Sequence, residues 1–394
     1  MSSEPVTPQL VMSVMDEKLG LIGHLVVDSI INGHSAGGVR VLPDVTVDEL
    51  VHLARNMTLK FGFLGIPLGG AKSCVFASPT LQGKGRTRLF TAFGRVLAPL
   101  IKSGVYVPGC DMGVCERGLQ SIYAAAGSNA DIKEVKSHVY ASWTVFASAK
   151  IAAEHVGLDL SGSKVAIEGF GKVGGATAQI FADAGAKIVA ISTLNGAMYD
   201  QAGLDVSRLL ELKGKSGDNL VNEYEAQKIE KSDLLCLPVD VLIPCARPWT
   251  INSSNVRKIK AKIVCPGANV PMTMEAEGIL RERKILCVPD FVSNSGGVLG
   301  CHLESVVSEG KIKEIVKGEF SKRVLEIVRL SEEKNVTPGQ VAREIAIRRF
   351  NETKKEAERD LFQTDLIKSI FKLLPKPIKK ALAPVYIRTR LNIS

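Results

Sequence analysis

Aromatic side chains are scarce in this chain of 394 residues, 5% in all with only two Trp. Single-stranded nucleic acid is commonly held on stacked rings, so that class of partner is not expected. No run of 18 uncharged apolar residues occurs, and a membrane-spanning helix is therefore not expected. Residues 1–18 hold no basic stretch leading into an apolar core, so neither is a secretory signal. The eight cysteines form no C-x-x-C pair and no His follows them at zinc-finger spacing, which leaves no metal site to expect. Several of them, Cys236, Cys265 and Cys287, stand in apolar strand-like runs. They read as small buried hydrophobes in a reducing compartment, the cytoplasm.

What is present is the make-up of a globular protein: 45% hydrophobic and 23% charged residues. The length suggests two domains or three. Thirty-six glycines against 17 prolines suit the turns of many βα units. The net charge of +9 is unevenly placed. Residues 360–394 hold seven Lys or Arg and two Asp, and removing that +5 from +9 leaves +4 on residues 1–359. The body is thus not the strongly basic surface of a DNA-binding protein.

Residues 21–31 read as a strand pair around a turn near Asn32-Gly33. Residues 44–61 read as an amphipathic helix, with Leu50, Leu53, Ala54, Met57 and Phe61 at helical spacing. Thr46 with Glu49 three residues on forms its capping box. Helices are also expected over 89–101, 116–126, 145–155 and 176–184, and strands over 165–168, 187–191, 239–243, 262–265 and 285–288. Their alternation implies an α/β protein with a parallel, doubly wound sheet. From about Glu304 the sequence is helical and charged.

Three strings carry chemistry. Gly169-Phe170-Gly171-Lys172-Val173-Gly174 follows a strand and opens a helix, the setting of a dinucleotide fingerprint. Its glycines let the chain turn and approach a pyrophosphate, whose charge meets the helix N-terminus. The acid that usually ends the second strand is missing. Thr193 stands there, which does not repel a 2′-phosphate, so NAD and NADP both stay open. The second string is Gly37-Gly38-Val39-Arg40 with Lys60 and Pro67-Leu68-Gly69-Gly70-Ala71-Lys72. A lysine on a partly buried, glycine-rich segment can have a lowered pKa and act as a base, and Lys60 can hold a carboxylate. The third is Val107-Pro108-Gly109-Cys110-Asp111-Met112-Gly113, a carboxylate fixed between Gly and Pro.

Together these strings resemble the glutamate, leucine, phenylalanine and valine dehydrogenase family from about Leu19 to Asn351. Leu242-Ile243-Pro244-Cys245-Ala246, Gly267-Ala268-Asn269 and Asn294-Ser295-Gly296-Gly297 extend the match, and Lys60 precedes Lys72 by the family's interval of twelve. The short N-terminus and Asn294–Gly297 are similar to the leucine-type branch; residues 196–200 and 265–271 are similar to the glutamate branch. The resemblance implies reversible NAD(P)-dependent oxidative deamination of an L-amino acid to a 2-oxo acid and ammonia by a homo-oligomer. It assigns catalysis to Lys72, which activates water, and to Asp111, which shuttles a proton. Substrate contacts fall to Lys60, Gly38, Ala36, Val298 and Cys301. Coenzyme contacts fall to Gly169, Gly171, Lys172, Val173, Gly174, Thr193, Cys245, Ala246, Asn269 and Asn294. The implied division is a substrate and oligomerisation domain over 1–140 and a Rossmann domain over 141–325. C-terminal helices over 326–359 pack back on the first domain, and a basic amphipathic tail covers 360–394.

Two departures bear on substrate. Glutamate-specific members place a lysine just before Gly-Gly-x-Arg and a serine after Asn-x-Gly-Gly; here those positions are Ala36 and Cys301. A buried carboxylate without partners costs several kcal/mol, roughly the scale of an unpaired buried ion, so an apolar or small side chain is expected. A same-fold enzyme condensing imines or 2-oxo acids, and a non-catalytic nucleotide-binding regulator, are the alternatives. In the tail, Leu361, Phe362, Leu366, Ile367, Ile370, Phe371 and Leu374 recur at helical spacing before Pro375. Docking on the protein is expected there rather than membrane contact, because one short basic helix binds membranes only marginally without a second anchor.

Overall fold

The computed structural model describes residues 7–78, 81–130, 132 and 135–359. The tail reading therefore lies outside the described residues. The described residues fall into two compact units, 7–135 with 345–359, and 136–344.

In the first unit, β1 (Leu10–Asp16), β2 (Leu21–Val27), β3 (Ser35–Val41), β4 (Gly69–Val75) and β5 (Val107–Cys110) form one sheet ordered β1-β2-β4-β3-β5. The first three in that order run antiparallel, whereas β3 is parallel to both β4 and β5. The helices are α1 (Val47–Leu64), α2 (Gly83–Val96), α3 (Ala98–Lys102) and α4 (Glu116–Ala125). Strand alternation sends Leu25, Val27, Val39 and Val41 to a core with Phe90, Phe93, Leu119 and Ile122 of α2 and α4. The other face sends Val26 and Cys74 against Leu50 and Ala54 of α1.

Two local expectations change. Residues 21–27 pair with the preceding β1, and Asn32 and Gly33, both at positive φ, close only a single bridge between Ile31 and His34. The next strand joins the sheet parallel to β4, which a tight hairpin cannot do. The helix expected over 89–101 starts earlier and breaks at Leu97, because Pro99 has no N–H to continue the ladder.

In the second unit, β6 (Lys164–Glu168), β7 (Lys187–Thr193), β8 (Gly196–Tyr199), β9 (Gln227–Ile229), β10 (Val241–Pro244), β11 (Ile263–Val264) and β12 (Leu286–Cys287) form a sheet ordered β12-β11-β10-β6-β7-β8-β9. From β12 to β7 it is parallel; β8 and β9 run antiparallel, so the sheet is mixed. The two-residue link Leu194-Asn195 makes that hairpin, a connection too short for a parallel crossover. The helices are α5 (Ser137–His155), α6 (Lys172–Asp183), α7 (Val206–Ser216), α8 (Leu220–Glu223), α9 (Lys231–Leu234), α10 (Met274–Glu282), α11 (Asp290–Ser293), α12 (Gly296–Leu303), α13 (Glu309–Ile315) and α14 (Ser321–Glu333). Val165 and Ile167 pack toward α5 and α6, Ala166 toward α9 and α10, so helices cover both faces. None of the described helices is long and apolar enough to cross a membrane.

The last described helix, α15 (Pro338–Arg359), belongs to the first unit from Ile345 onward. There Phe350 and Ala357 cluster with Ile31, Arg349 donates to the Phe63 carbonyl at 3.0 Å, and Asn32 donates to the Ala357 carbonyl at 3.1 Å. Gly62 of α1 makes this crossing close, since a Cβ there would run into the Ala346 carbonyl. Glycine to alanine inside a helix ordinarily stabilises by about 1 kcal/mol. Gly62→Ala is expected to do the opposite, losing about 1–3 kcal/mol as overpacking does. Urea unfolding of the variant reads the sign, and a gain in stability would contradict the close crossing.

Candidate active site

The first unit gathers charge where little water reaches. Arg40 on β3, Glu49 and Lys60 on α1 and Lys72 on β4 are all buried, and Asp111 follows β5 directly. Arg40 donates to Glu49 at 2.5 Å and to Asp111 Oδ2 at 3.0 Å, and the Lys72 ammonium meets the same Oδ2 at 2.8 Å. The result is an alternating chain, Glu49, Arg40, Asp111, Lys72.

Strand register builds it. Ala36 pairs with Gly70 and Val39 with Ser73, so Gly38 lies beside Lys72. On the other side Gly38 pairs with Gly109, two residues before Asp111. A Cβ on Gly38 would come within 2.6 Å of the Asp111 Cβ. The bare position thus lets Lys72 reach across β3 to the carboxylate. Tyr106, wholly buried, bonds Ser73 at 2.7 Å and donates to the Gly37 carbonyl at 3.2 Å, pinning the two strands together.

Thr46 caps α1 by accepting from the Glu49 amide at 3.1 Å, but the Glu49 carboxylate is turned to Arg40. The expected capping box is therefore half made, because the guanidinium is the stronger partner for a buried carboxylate.

These surroundings set the protonation states. Burial lowers the Lys72 pKa and nearby Arg40 adds to that, while Asp111 opposes it. Burial pushes Asp111 up, but Lys72 and Arg40 outweigh it and hold its carboxyl well below the usual range. A buried amine poised to shed its proton, in contact with a held carboxylate, is what general-base activation of water needs.

In the second unit the fingerprint turn leaves β6 with Gly169 at φ +92. Its amide donates to the Ser192 hydroxyl at 2.9 Å and the Phe170 amide to the Ser192 carbonyl, fastening the turn to β7. A side chain on Gly174 would collide with the Gly169 carbonyl, so this glycine serves the close seat of α6. Gly171 caps α6 without a side-chain bond and faces open space, leaving the first turn of Lys172 and Val173 available to an anion. Cys245 and Ala246 lie against Gly169. Asn294 draws the remaining strings together, its amide nitrogen lying 2.9 Å from the Ala268 carbonyl and 3.2 Å from Asn269 Oδ1. The buried Asn294 Oδ1 has no hydrogen-bond partner among the described residues. An uncapped helix start and an orphaned acceptor fit a diphosphate and an amide-bearing ring, the two ends of a nicotinamide dinucleotide.

The other expected positions are placed as follows. The Thr193 hydroxyl is engaged by the Asp218 carbonyl at 2.8 Å and the Asn195 amide at 3.2 Å. Ala36 is half-buried on β3, opposite Gly70 and Val107. Val298 is half-buried on α12 and Cys301 is exposed there. Gly296 and Gly300 let α12 lie directly on Tyr140 of α5, so part of that string is a packing device. Cys265 and Cys287 are buried as expected and Cys236 half so, while Cys110, Cys115 and Cys301 are exposed. Two site residues had drawn no role from the sequence: Arg40 and, at the end of β6, Glu168. Arg40 stands inside a quoted string, and its burial was the missing signal.

Removing one member of a buried ion pair costs roughly 3–5 kcal/mol. Asp111→Asn is expected to lose that much at pH 7. A depressed carboxyl pKa contributes stability that is present above the unfolded value, about 3.9, and is lost as pH falls through the acid range. The gap between wild type and Asp111→Asn should therefore narrow below about pH 4. Denaturation curves at pH 7 and pH 3 read it, and an equal gap at both would contradict the buried pair.

Comparison with known proteins gives the family. Residues 12–127 match the model of the Glu/Leu/Phe/Val dehydrogenase dimerisation domain, and residues 137–357 that of Glutamate/Leucine/Phenylalanine/Valine dehydrogenase. The chain is 31% identical over 308 residues to the NADP-specific glutamate dehydrogenase of Saccharolobus shibatae, covering 74% of this chain and 72% of that protein. It is 31% identical over 342 residues to the NAD-specific glutamate dehydrogenase of Staphylococcus aureus, covering 81% and 82%. Among solved structures it is similar to the hetero-hexameric glutamate dehydrogenase of Thermus thermophilus in its Leu-bound form, with a TM-score of 0.76, 27% identity, and 88% and 89% coverage. The chain belongs to the glutamate/leucine/phenylalanine/valine dehydrogenase family, as an NAD- or NADP-dependent amino-acid dehydrogenase catalysing oxidative deamination.

Proposed function

We propose that the substrate of this dehydrogenase is an L-amino acid with an apolar or small side chain, and that the chain works as a homo-oligomer in the cytoplasm. The observation carrying the site assignment is the buried 2.8 Å contact between Lys72 and Asp111. The Gly169–Gly174 turn would hold NAD or NADP, which when bound would supply the acceptor for a hydride from the substrate α-carbon. Lys60 holds the α-carboxylate, a cation on a helix face that water scarcely reaches. Lys72, its pKa lowered, takes a proton from the water that adds to the imine carbon. Asp111 moves the proton to the departing ammonia. The two groups titrate as a unit. When Lys72 is neutral, Asp111 loses a neighbouring cation that holds its own pKa down, so the proton has reason to pass between them. Arg40 keeps Asp111 in place throughout, through its 3.0 Å bond.

The side-chain reading rests on Ala36 and Cys301, neither of which offers a charge to a distal carboxylate. The dimerisation-domain match supports the oligomer.

Two measurements follow. Lys72→Ala should lower kcat by about 10² or more, the scale of general acid–base catalysis, with the circular dichroism spectrum unchanged; near-wild-type turnover would remove Lys72 from the base role. Across a panel of twenty amino acids with both coenzymes, the best aliphatic or aromatic substrate should exceed glutamate in kcat/KM by roughly 100-fold, as an unpaired carboxylate costing a few kcal/mol requires. A preference for glutamate would mean that a cation elsewhere in the chain serves its side chain.

A further inference from the structure

Glu168 is the last residue of β6, the central strand of the second sheet, and stands immediately before Gly169. Its backbone carbonyl accepts from the Cys245 amide at 2.7 Å. Alternation along β6 places its side chain on the face of Ala166, away from α6. The residue is buried, 9% exposed, and no ion pair is formed with its carboxyl among the described residues.

Among the described residues its side-chain partner is the Thr250 hydroxyl, 3.1 Å from Oε2. That hydroxyl also lies 3.4 Å from the Pro271 carbonyl, a second acceptor. A hydroxyl has a single proton to give. Both contacts are full hydrogen bonds at once when Glu168 carries a proton and donates to Thr250, which then donates to Pro271; otherwise the one hydroxyl proton is shared between two acceptors. An ionised Glu168 and the Pro271 carbonyl compete for that one proton.

The charged groups bearing on this carboxyl do not neutralise it. Lys231 on α9 is exposed and donates to the Leu194 carbonyl at 3.1 Å, and Asp233 on the same helix is exposed. The Cys245 thiol at the end of β10 is pushed up to about 12 by burial and stays neutral. Lys172, the first residue of α6, points into solvent. Burial accordingly pushes Glu168 up to about 7, with Thr250 and Lys231 opposing.

We propose that Glu168 is a positioning residue for the coenzyme: its carboxyl, buried behind the glycine turn, has to hold a proton for the turn to accept a dinucleotide diphosphate, so that coenzyme affinity is set by pH. This rests on the coenzyme sitting at Gly169–Gly174. An ionised carboxylate there places a negative charge, poorly screened by water, at the base of the glycine turn that leads to the anion seat at Lys172 and Val173. By linkage, an anionic ligand then takes up a proton on binding and weakens as the pH passes the carboxyl's own value.

The test uses the full chain and two readouts. The first needs no coenzyme. A raised carboxyl pKa gives stability that is complete below its unfolded value and lost as pH rises through the folded one. The wild type should therefore lose stability between about pH 4.5 and 7 relative to Glu168→Gln, and parallel curves would show that Glu168 is charged throughout. The second is calorimetric titration with NADH and NADPH. For the wild type, Kd should rise by up to about tenfold per pH unit above pH 7, with proton uptake seen between buffers of different ionisation enthalpy. Glu168→Gln should hold Kd within about twofold from pH 6 to 9 without proton uptake. A pH dependence shared by both proteins overturns the proposal. Proton uptake in the wild type is informative even if the variant fails to fold, and its absence also overturns the proposal. Failure of either coenzyme to bind at any pH, with the first readout as expected, would fall instead on the placement of the coenzyme at the turn and remove the proposal with it.

Discussion

The buried chain of alternating charges, Glu49, Arg40, Asp111 and Lys72, is the constraint on which the first unit depends. Each of these groups alone would cost several kcal/mol to bury, of the order found for unpaired ions. None can be moved inside without its neighbour. That requirement explains choices that look odd one at a time. Glu49 gives up half of a helix cap to serve Arg40. Gly38 stays bare in the middle of a strand, where a side chain would ordinarily strengthen the sheet, because Lys72 and Asp111 meet over it. All seven residues of β4 are buried, a strand carrying a lysine included.

The same arrangement sets the protonation behaviour of Lys72. A lysine in water is a poor base near neutral pH because it holds its proton too tightly. Burial weakens that hold, and the carboxylate at 2.8 Å keeps the site from expelling the charge altogether. One set of contacts thus bears on both stability and protonation, and strengthening the pair further would raise the amine's pKa and leave less of it unprotonated near neutral pH.

In the second unit the glycine string does two separate jobs. Gly174 and Gly169 are steric, fixing how tightly α6 sits on the turn, whereas Gly171 looks outward beside an uncapped helix start. Asn294 performs a similar gathering from the far side, drawing the Ala268 carbonyl and Asn269 to one amide and leaving its own oxygen over. Glu168 sits behind the turn at the end of that strand, with a hydroxyl and, among the described residues, no cation in contact.

Much of this was legible in the residues alone. Apolar spacing from Leu50 to Phe61 specifies an amphipathic helix wherever it is placed, and α1 appears there with Thr46 as its cap. A strand, a glycine turn and an alanine-rich helix in succession specify the βα unit, since local geometry leaves few other solutions. The lysine of the glycine-rich string and the Asp111 string named two residues that the fold brings into contact. What the order of residues could not state was partnership across the fold. Glu49 reads as a local cap because its rival partner, Arg40, becomes adjacent only when β3 and α1 pack. Residues 21–31 read as a hairpin because the choice between an antiparallel neighbour and a parallel crossover is made by the whole sheet. Glu168 reads as an ordinary strand end until burial removes its water. Local periodicity determined the elements and the types of chemistry on offer; the tertiary structure alone decided which charges meet and which are left without water, because desolvation is a property of the folded surroundings and not of the residue.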